Sequence, residues 1–501
     1  MLYPARVVFS NRTYIWSAVL VSIVLVAIFK FIYPYPNMVL DSYYYIMAAN
    51  SHADVNAWAI GYSWFLRVFG VFSHSFLLFV IFQYLFLEAS LLTFFLILAK
   101  FFALSKVSKW ILFFFFFVNP LFLYCANFVM ADALFISLSV LWISLLLWML
   151  YRPKAYLLWV HTILILLVFT VRYNALYYPI VATLTFLVSR YNVRQKILGI
   201  GLQVVAIAGF VCFTSMRIGE MTGKAQFSPF GNWKTANDAL YMYGHICLEE
   251  HDPVPGKFAV LDQTVRQSFY ASGGRVDNLL DYRSSFYGSS YMFYNTSPLV
   301  RYKNLLYGTD TEFVNFKKMA YVGPLYGEYG AWLIRRYPVA FLRYFVGPNV
   351  VRYLFPPMEA FASLPPFHLR PDYLGHAATA WFGVKTLTVG WPLIRLRDNL
   401  LGPYQAMTSI IHFLFALNLA GFLIMKGYRL ISKWQLHALC ILSILWICDL
   451  GFNLTAAAIV MRYEVFLQII EFSLVLWLTE WIYFGRDRTG EIGPEITLYG
   501  F

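Results

Sequence analysis

The chain has 501 residues, of which 60% are hydrophobic, 20% aromatic and only 13% charged, and it carries a net charge of +13. A soluble domain carries about 25% charged residues, so the composition excludes one and points to an all-α polytopic membrane protein in a lipid bilayer. Basic cytoplasmic loops account for much of such a positive balance, so it is not read as nucleic-acid binding.

Arg6 and Arg12 precede an apolar run over 13–33. That run is as long as a bilayer span and lacks a small-residue cleavage site, so it reads as a retained helix, not a signal peptide. Further runs of spanning length cover 75–99, 108–124, 130–151, 156–171, 174–189 and 196–216. Residues 217–403 then break the pattern with Gly, Pro, Asn, Asp and many aromatics. Spanning runs return at 405–425, 434–452 and 458–483. About ten transmembrane helices are therefore expected. They divide the chain into an N-terminal transmembrane module (1–216), a large mixed loop domain (217–403), and a C-terminal transmembrane module with a short tail (404–501).

The basic residues orient this scheme. With the N-terminus inside, the loops carrying Lys100, Lys106 and Lys109, then Arg152 and Lys154, then Arg190, Arg194 and Lys196 share one side. The loops with Lys426, Arg429 and Lys433, and with Arg486 and Arg488, fall on that same side. Positive loops are retained in the cytoplasm, so both termini are expected there, with 34–73 and 217–403 external. Within the first external loop, 57–72 is short, aromatic and apolar, and reads as a helix lying on the membrane surface. Residues 331–355 mix aromatics with Arg335, Arg336, Arg343 and Arg352. That stretch is too basic to span, and reads as an interfacial helix or a re-entrant segment. The five cysteines form no C-x-x-C pair, and no phosphate-cradling glycine motif occurs, so neither a zinc or redox motif nor an ATP-driven pump is expected.

Four charged residues from distant parts of the chain fall at one membrane depth in this scheme. Asp41 follows the first span in VLDSYYYIMAAN. Asp132 opens the fourth, Arg172 lies in the turn between the fifth and sixth, and Arg462 opens the last. Asp449 and Glu464 are close enough in sequence to be local partners of Arg462. Ionisable groups at this depth must be solvated or paired. A carboxylate is a suitable general base for an alcohol, and guanidinium forks match phosphate oxygens. Together they describe a site for a phosphate whose tail lies in lipid, such as a polyprenyl-phosphate sugar.

The order of these features resembles the GT-C membrane glycosyltransferases, especially the branch with protein O-mannosyltransferases and the bacterial aminoarabinose transferase of lipid A. An acid follows the first helix, the first external loop is long, N-P precedes Asp132, and R-Y-N joins the fifth and sixth helices. A large external loop follows the seventh, and R-Y opens a late helix. The resemblance covers the layout of the whole chain and is best over 1–216. It implies Asp41 as catalytic base, Asp132 as the second acid and Arg172 as the basic residue near the fifth–sixth turn. Some relatives carry a second acid where Ser42 stands here. Metal-dependent relatives use D-x-D-like pairs, and 217–403 holds only the looser Glu250-His251-Asp252 and Asp310-Thr311-Glu312. No cofactor and no obligatory metal is expected, with a divalent cation left open.

The expected activity is transfer of a sugar from a polyprenyl-phosphate donor to a hydroxyl of a glycan, lipid or protein on the external face. A transporter or flippase for a lipid-linked saccharide, or a surface-polysaccharide polymerase or ligase, is the alternative. Plainer roles stand beside these. Asp41 and Asp132 are also natural helix-end residues. Arg172 and Arg462 suit interfacial anchoring, and Tyr43, Tyr44 and Tyr45 an aromatic belt, with Tyr44 a candidate to touch the sugar. Arg343 and Arg352 suit either a phosphate or an anionic membrane surface. Glu88 and Glu471 fall mid-membrane, either functional or in interhelical hydrogen bonds. His245 with Glu249 and His368 with Asp372 have helical i,i+4 spacing, but neither pair has a second histidine to complete a metal site. His52, His74, His245, His251, His368 and His376 therefore read as surface residues.

Overall fold

The computed structural model describes residues 11–33, 36–247, 253–271, 291–309, 315–358, 373–383 and 401–488. Among them every regular element is helical, apart from one isolated bridge between Asn37 and Phe128. Helix α1 (Asn11–Ile32) leads into two short helices, α2 (Leu40–Asn50) and α3 (Gly61–Phe72). Next come α4 (Phe76–Phe101), α5 (Lys106–Phe117), α6 (Pro120–Asn127), α7 (Ala131–Tyr151) and α8 (Tyr156–Val171). A 3-10 turn (Tyr173–Tyr177) then precedes α9 (Tyr178–Val188) and α10 (Val193–Thr222).

Eight of the described helices are long and apolar enough to cross a membrane: α1, α4, α5 with α6, α7, α10, and three near the C-terminus. The last three are α18 (Tyr404–Ile424), α19 (Lys433–Ala456) and α20 (Met461–Arg488), numbered after the helices of the intervening region. α8 and α9 are apolar but shorter. The protein is thus an integral membrane protein of the all-α class. Large apolar side chains stay outward-facing on the spans, among them Trp16 at 70% exposure and Ile424 at 80%, as a bilayer solvent allows.

Local chemistry sets the helix ends. Ser75, Ser105, Asn192, Ser228, Asn315 and Ser432 each accept a first-turn backbone N–H at a helix start. The run expected as one helix over 108–124 is interrupted at Asn119. Pro120 lacks the N–H that would continue α5, so it starts α6 instead, with Asn119 as its cap. Gly223, at φ +71, stops α10 in the left-handed conformation that glycine adopts without cost.

The described part of 217–403 is helical and builds its own core. Helices α11 (Pro229–Ile246), α12 (Ala259–Ala271), α13 (Pro298–Tyr307) and α14 (Phe316–Arg336) enclose the fully buried Trp233, Tyr326 and Tyr329. α14 lies close against α11 because Gly330 offers no side chain: a Cβ there would meet the Thr235 carbonyl at 2.6 Å. The stretch 331–355, expected as one interfacial helix, is divided. α14 ends at Arg336; α15 (Pro338–Phe341), a π turn (Leu342–Val346) and α16 (Gly347–Leu354) follow. Pro338 takes the first-turn position where its missing N–H costs nothing. Asn349 of α16 donates to the carbonyls of Leu454 and Ala457, which ties this region to the end of α19. Helix α17 (Tyr373–Phe382) packs against α2. In the first loop, α3 is amphipathic as expected, burying Tyr62 and Leu66 and exposing Val71 and Phe72 at 82% and 83%.

Candidate functional site

The short connection after α1 positions the first acid. Asn37 donates its backbone N–H to the Asn127 carbonyl at 2.8 Å, and its own carbonyl accepts from Val129 at 2.9 Å. Lys30 donates to the Asn127 side chain at 2.8 Å. Gln83 of α4 holds the same turn, donating to the carbonyls of Ala126 and Phe128, while Tyr62 donates to its side-chain oxygen at 2.9 Å. These bonds bring the start of α2 beside the start of α7. Asp41 and Asp132 are each the second residue of their helix. Both carboxylates therefore sit where the helix dipole favours negative charge.

Arg172 closes the end of α8, and Arg462 is the second residue of α20. The four side chains join in one chain of ion pairs. Arg172 Nη1 pairs with Asp132 Oδ1. Arg462 Nη1 lies 3.7 Å from Asp132 Oδ2 and 3.3 Å from Asp41 Oδ2. The Tyr463 ring supports both guanidiniums, at 5.2 Å from Arg172 and 5.1 Å from Arg462. Burial is the largest single influence and works against the charge of Arg172, but Asp132, Tyr463 and Tyr45 together outweigh it and hold the guanidinium above its ordinary range. Asp132 is the most enclosed member, its side chain 4% exposed, and Asp41 the most open at 22%.

This chain forms part of the wall of a cavity of about 1350 Å³. Asp41, Tyr44 and Tyr45 line it from one face of α2, the face that i, i+3 and i+4 spacing creates. Burial, helped by the nearby Asp41, pushes the Tyr45 hydroxyl well above the ordinary tyrosine range despite the two arginines, so it stays a neutral donor. Helix α11 also contributes to the lining, with Lys234 and Asp238 one turn apart, their charged atoms 3.5 Å from each other. Burial pushes Asp238 up to about 7, against the lowering pull of Lys234.

Of the residues expected from sequence, Asp41, Asp132, Arg172, Arg462 and Tyr44 converge here. Arg343 and Arg352 do not line the cavity. Arg343 is exposed beside Tyr344 in the π turn, and Arg352 is buried on α16. Asp449 and Glu464 are not the ion-pair partners of Arg462 found here. Asp449 instead accepts from Tyr177 at 2.6 Å and Asn453 at 2.8 Å. Ser42 is fully buried, and its hydroxyl accepts the Val39 N–H at 3.0 Å, so it caps α2. Glu88 accepts from Ser22 of α1 at 3.2 Å, and Glu471 lies 2.7 Å from His412 Nδ1, both interhelical contacts.

His74 Nδ1 lies 2.9 Å from the Trp381 carbonyl, and His245 stacks on Tyr344. Among the described residues no three His, Cys, Asp or Glu side chains gather as a metal site. The acidic triplets at 250–252 and 310–312, His368 and the side chain of His376 lie outside the described residues. Sequence reasoning missed Lys234, Asp238 and Trp58, and read Tyr45 only as part of an aromatic belt. Only the i, i+4 spacing of Lys234 and Asp238 offered a local signal. No family model, curated protein or solved structure matches the chain.

Proposed function

We propose that the protein is a GT-C-type membrane glycosyltransferase that moves a sugar from a polyprenyl-phosphate donor to a hydroxyl of a glycan, lipid or protein. The observation carrying this reading is Asp41: the most accessible carboxylate of the four-membered ion chain, on the wall of the large cavity, with guanidinium groups beside it. In the reaction, Asp41 accepts the proton of the acceptor hydroxyl. The freed oxygen bonds to the anomeric carbon while the bond from that carbon to the phosphate oxygen breaks. The electron pair leaves with the polyprenyl phosphate, and the configuration inverts. Arg462 and Arg172 take up the charge that grows on the phosphate. Asp132, held by both guanidiniums, positions them and does not itself move a proton.

The lipid tail has an outlet in this scheme. The cavity wall includes Leu176, which is 59% exposed on the apolar flank, and Phe452 of α19. With basic loops inside, both termini are cytoplasmic and the cavity opens externally, on the periplasmic side of a bacterial inner membrane. Counting α8 and α9 as crossings gives ten helices, with 217–403 as the external domain. The direct test supplies purified protein with radiolabelled polyprenyl-phosphate sugars and a membrane extract. Label appearing in an acceptor supports the reading; label moving only between leaflets of a liposome makes the protein a flippase.

A further inference from the structure

The cavity is far larger than the ion chain needs, and next to that chain its lining has a distinct chemistry. Tyr44 stands one turn beyond Asp41 on α2, and its ring lies 4.2 Å from that of Trp58. Trp58 is flanked in turn by Phe230 at 5.5 Å and Phe293 at 6.0 Å, with interplanar angles of 33° and 29°. All four rings line the cavity, although they come from α2, the first loop, α11 and the segment before α13. Beside these rings the lining is polar. Lys234 and Asp238 are buried; Asp238 Oδ1 has only the long 3.5 Å ion pair with Lys234, and Asn304 Oδ1 on α13 makes no hydrogen bond.

A cluster of aromatic rings beside buried, incompletely satisfied polar groups is an arrangement suited to a pyranose. The face of a sugar ring presents C–H bonds that pack on the negative face of an aromatic ring. Its equatorial hydroxyls reach sideways to amide, carboxylate and ammonium groups, which buried polar atoms require. We infer that the wall of Tyr44, Trp58, Phe230 and Phe293, with Lys234, Asp238 and Asn304, is a saccharide subsite that holds the sugar acceptor. The i, i+3 relation of Asp41 and Tyr44 places the reacting hydroxyl of that sugar beside the base. Of the acceptor classes open to a transferase, this selects a glycan or the glycan head of a glycolipid over a protein side chain.

The role as acceptor site rests on the transferase reading; saccharide binding itself does not, and is measured without transfer. Saturation-transfer difference NMR uses the Asp41→Asn protein in nanodiscs with no donor. The probes are maltotetraose, mannotetraose, chitotetraose and a hyaluronan tetrasaccharide. Saturation of pyranose ring protons is expected for at least one probe. Its affinity falls about tenfold in Trp58→Ala and in Asn304→Ala, the loss expected when a stacking or hydrogen-bonding partner is removed. Asn304→Ala alters only a half-buried side chain and keeps the test valid if Trp58→Ala does not fold. No saturation from any probe, or affinities unchanged in the folded variants, overturns the inference. Saccharide binding without any transfer in the wild type removes the transferase and leaves this subsite standing.

Discussion

Arg462 Nη1 lies 3.3 Å from Asp41 Oδ2, joining residues 421 positions apart. The same nitrogen is 3.7 Å from Asp132, so one guanidinium links the starts of α2, α7 and α20. A cation in the first turn of a helix opposes the helix dipole. Arg462 holds that position because two carboxylates from other helices face it.

Asp132 is therefore expected to matter to stability as well as to activity. Asp132→Asn leaves Arg172 buried without its carboxylate, and breaking a buried pair costs about 3 kcal/mol. The midpoint of chemical denaturation in detergent should fall accordingly, and transfer should be lost. Asp132→Leu combined with Arg172→Met should recover most of the stability, because the apolar pair needs no charge compensation. Transfer should stay absent. A double variant as unstable as Asp132→Asn contradicts the structural half of this account.

Sidedness is checked by cysteine labelling in a background lacking the native cysteines. Cysteine placed at the exposed Asn295, in the cavity lining, should react with an impermeant maleimide on spheroplasts. Cysteine at the exposed Lys426 should react only after the membrane is opened. The reverse pattern turns the cavity to the cytoplasm.

Asp238 predicts a pH dependence with a definite sign. Its carboxyl titrates at about 7 in the fold, against about 3.9 in an unfolded chain, so the folded state binds the proton more tightly. The group costs nothing below about pH 4; its cost then grows towards about pH 7 and is fully present above that. The full effect is at most about 4 kcal/mol. Denaturation midpoints measured from acid to neutral pH should fall for the wild type and fall less steeply for Asp238→Asn. Parallel curves contradict the assignment.

The apolar runs were legible because each is long and carries few charges. Eight described helices are long and apolar enough to cross a membrane, while α8 and α9 are shorter and the 108–124 run is split between α5 and α6. Asp41, Asp132, Arg172 and Arg462 were legible because charges next to apolar runs are rare, and the structure brings all four together in one chain of ion pairs. The helical core of 217–403 was not legible. In its described part α11 is buried on nearly every side, with Lys234, Asn237 and Asp238 among the buried residues, and glycines such as Gly330 serve close packing, so neither composition nor periodicity marks a core. The aromatic wall was hidden for another reason: Trp58, Phe230 and Phe293 are far apart in sequence, so no local spacing marks them. Arg343 and Arg352 lie away from the cavity lining, in a stretch that is divided at Pro338 and by a π turn that carries no simple sequence signal.

The most direct measurement compares wild type with Asp41→Asn in nanodiscs, using a radiolabelled polyprenyl-phosphate sugar and recording donor binding alongside transfer. The substitution keeps the shape of the side chain and removes its basicity. Donor binding should persist, because the two guanidiniums remain, while transfer falls at least about a hundredfold, the scale of a lost general base. Transfer by Asp41→Asn at the wild-type rate contradicts the assignment of Asp41 as the base, and with it the central claim.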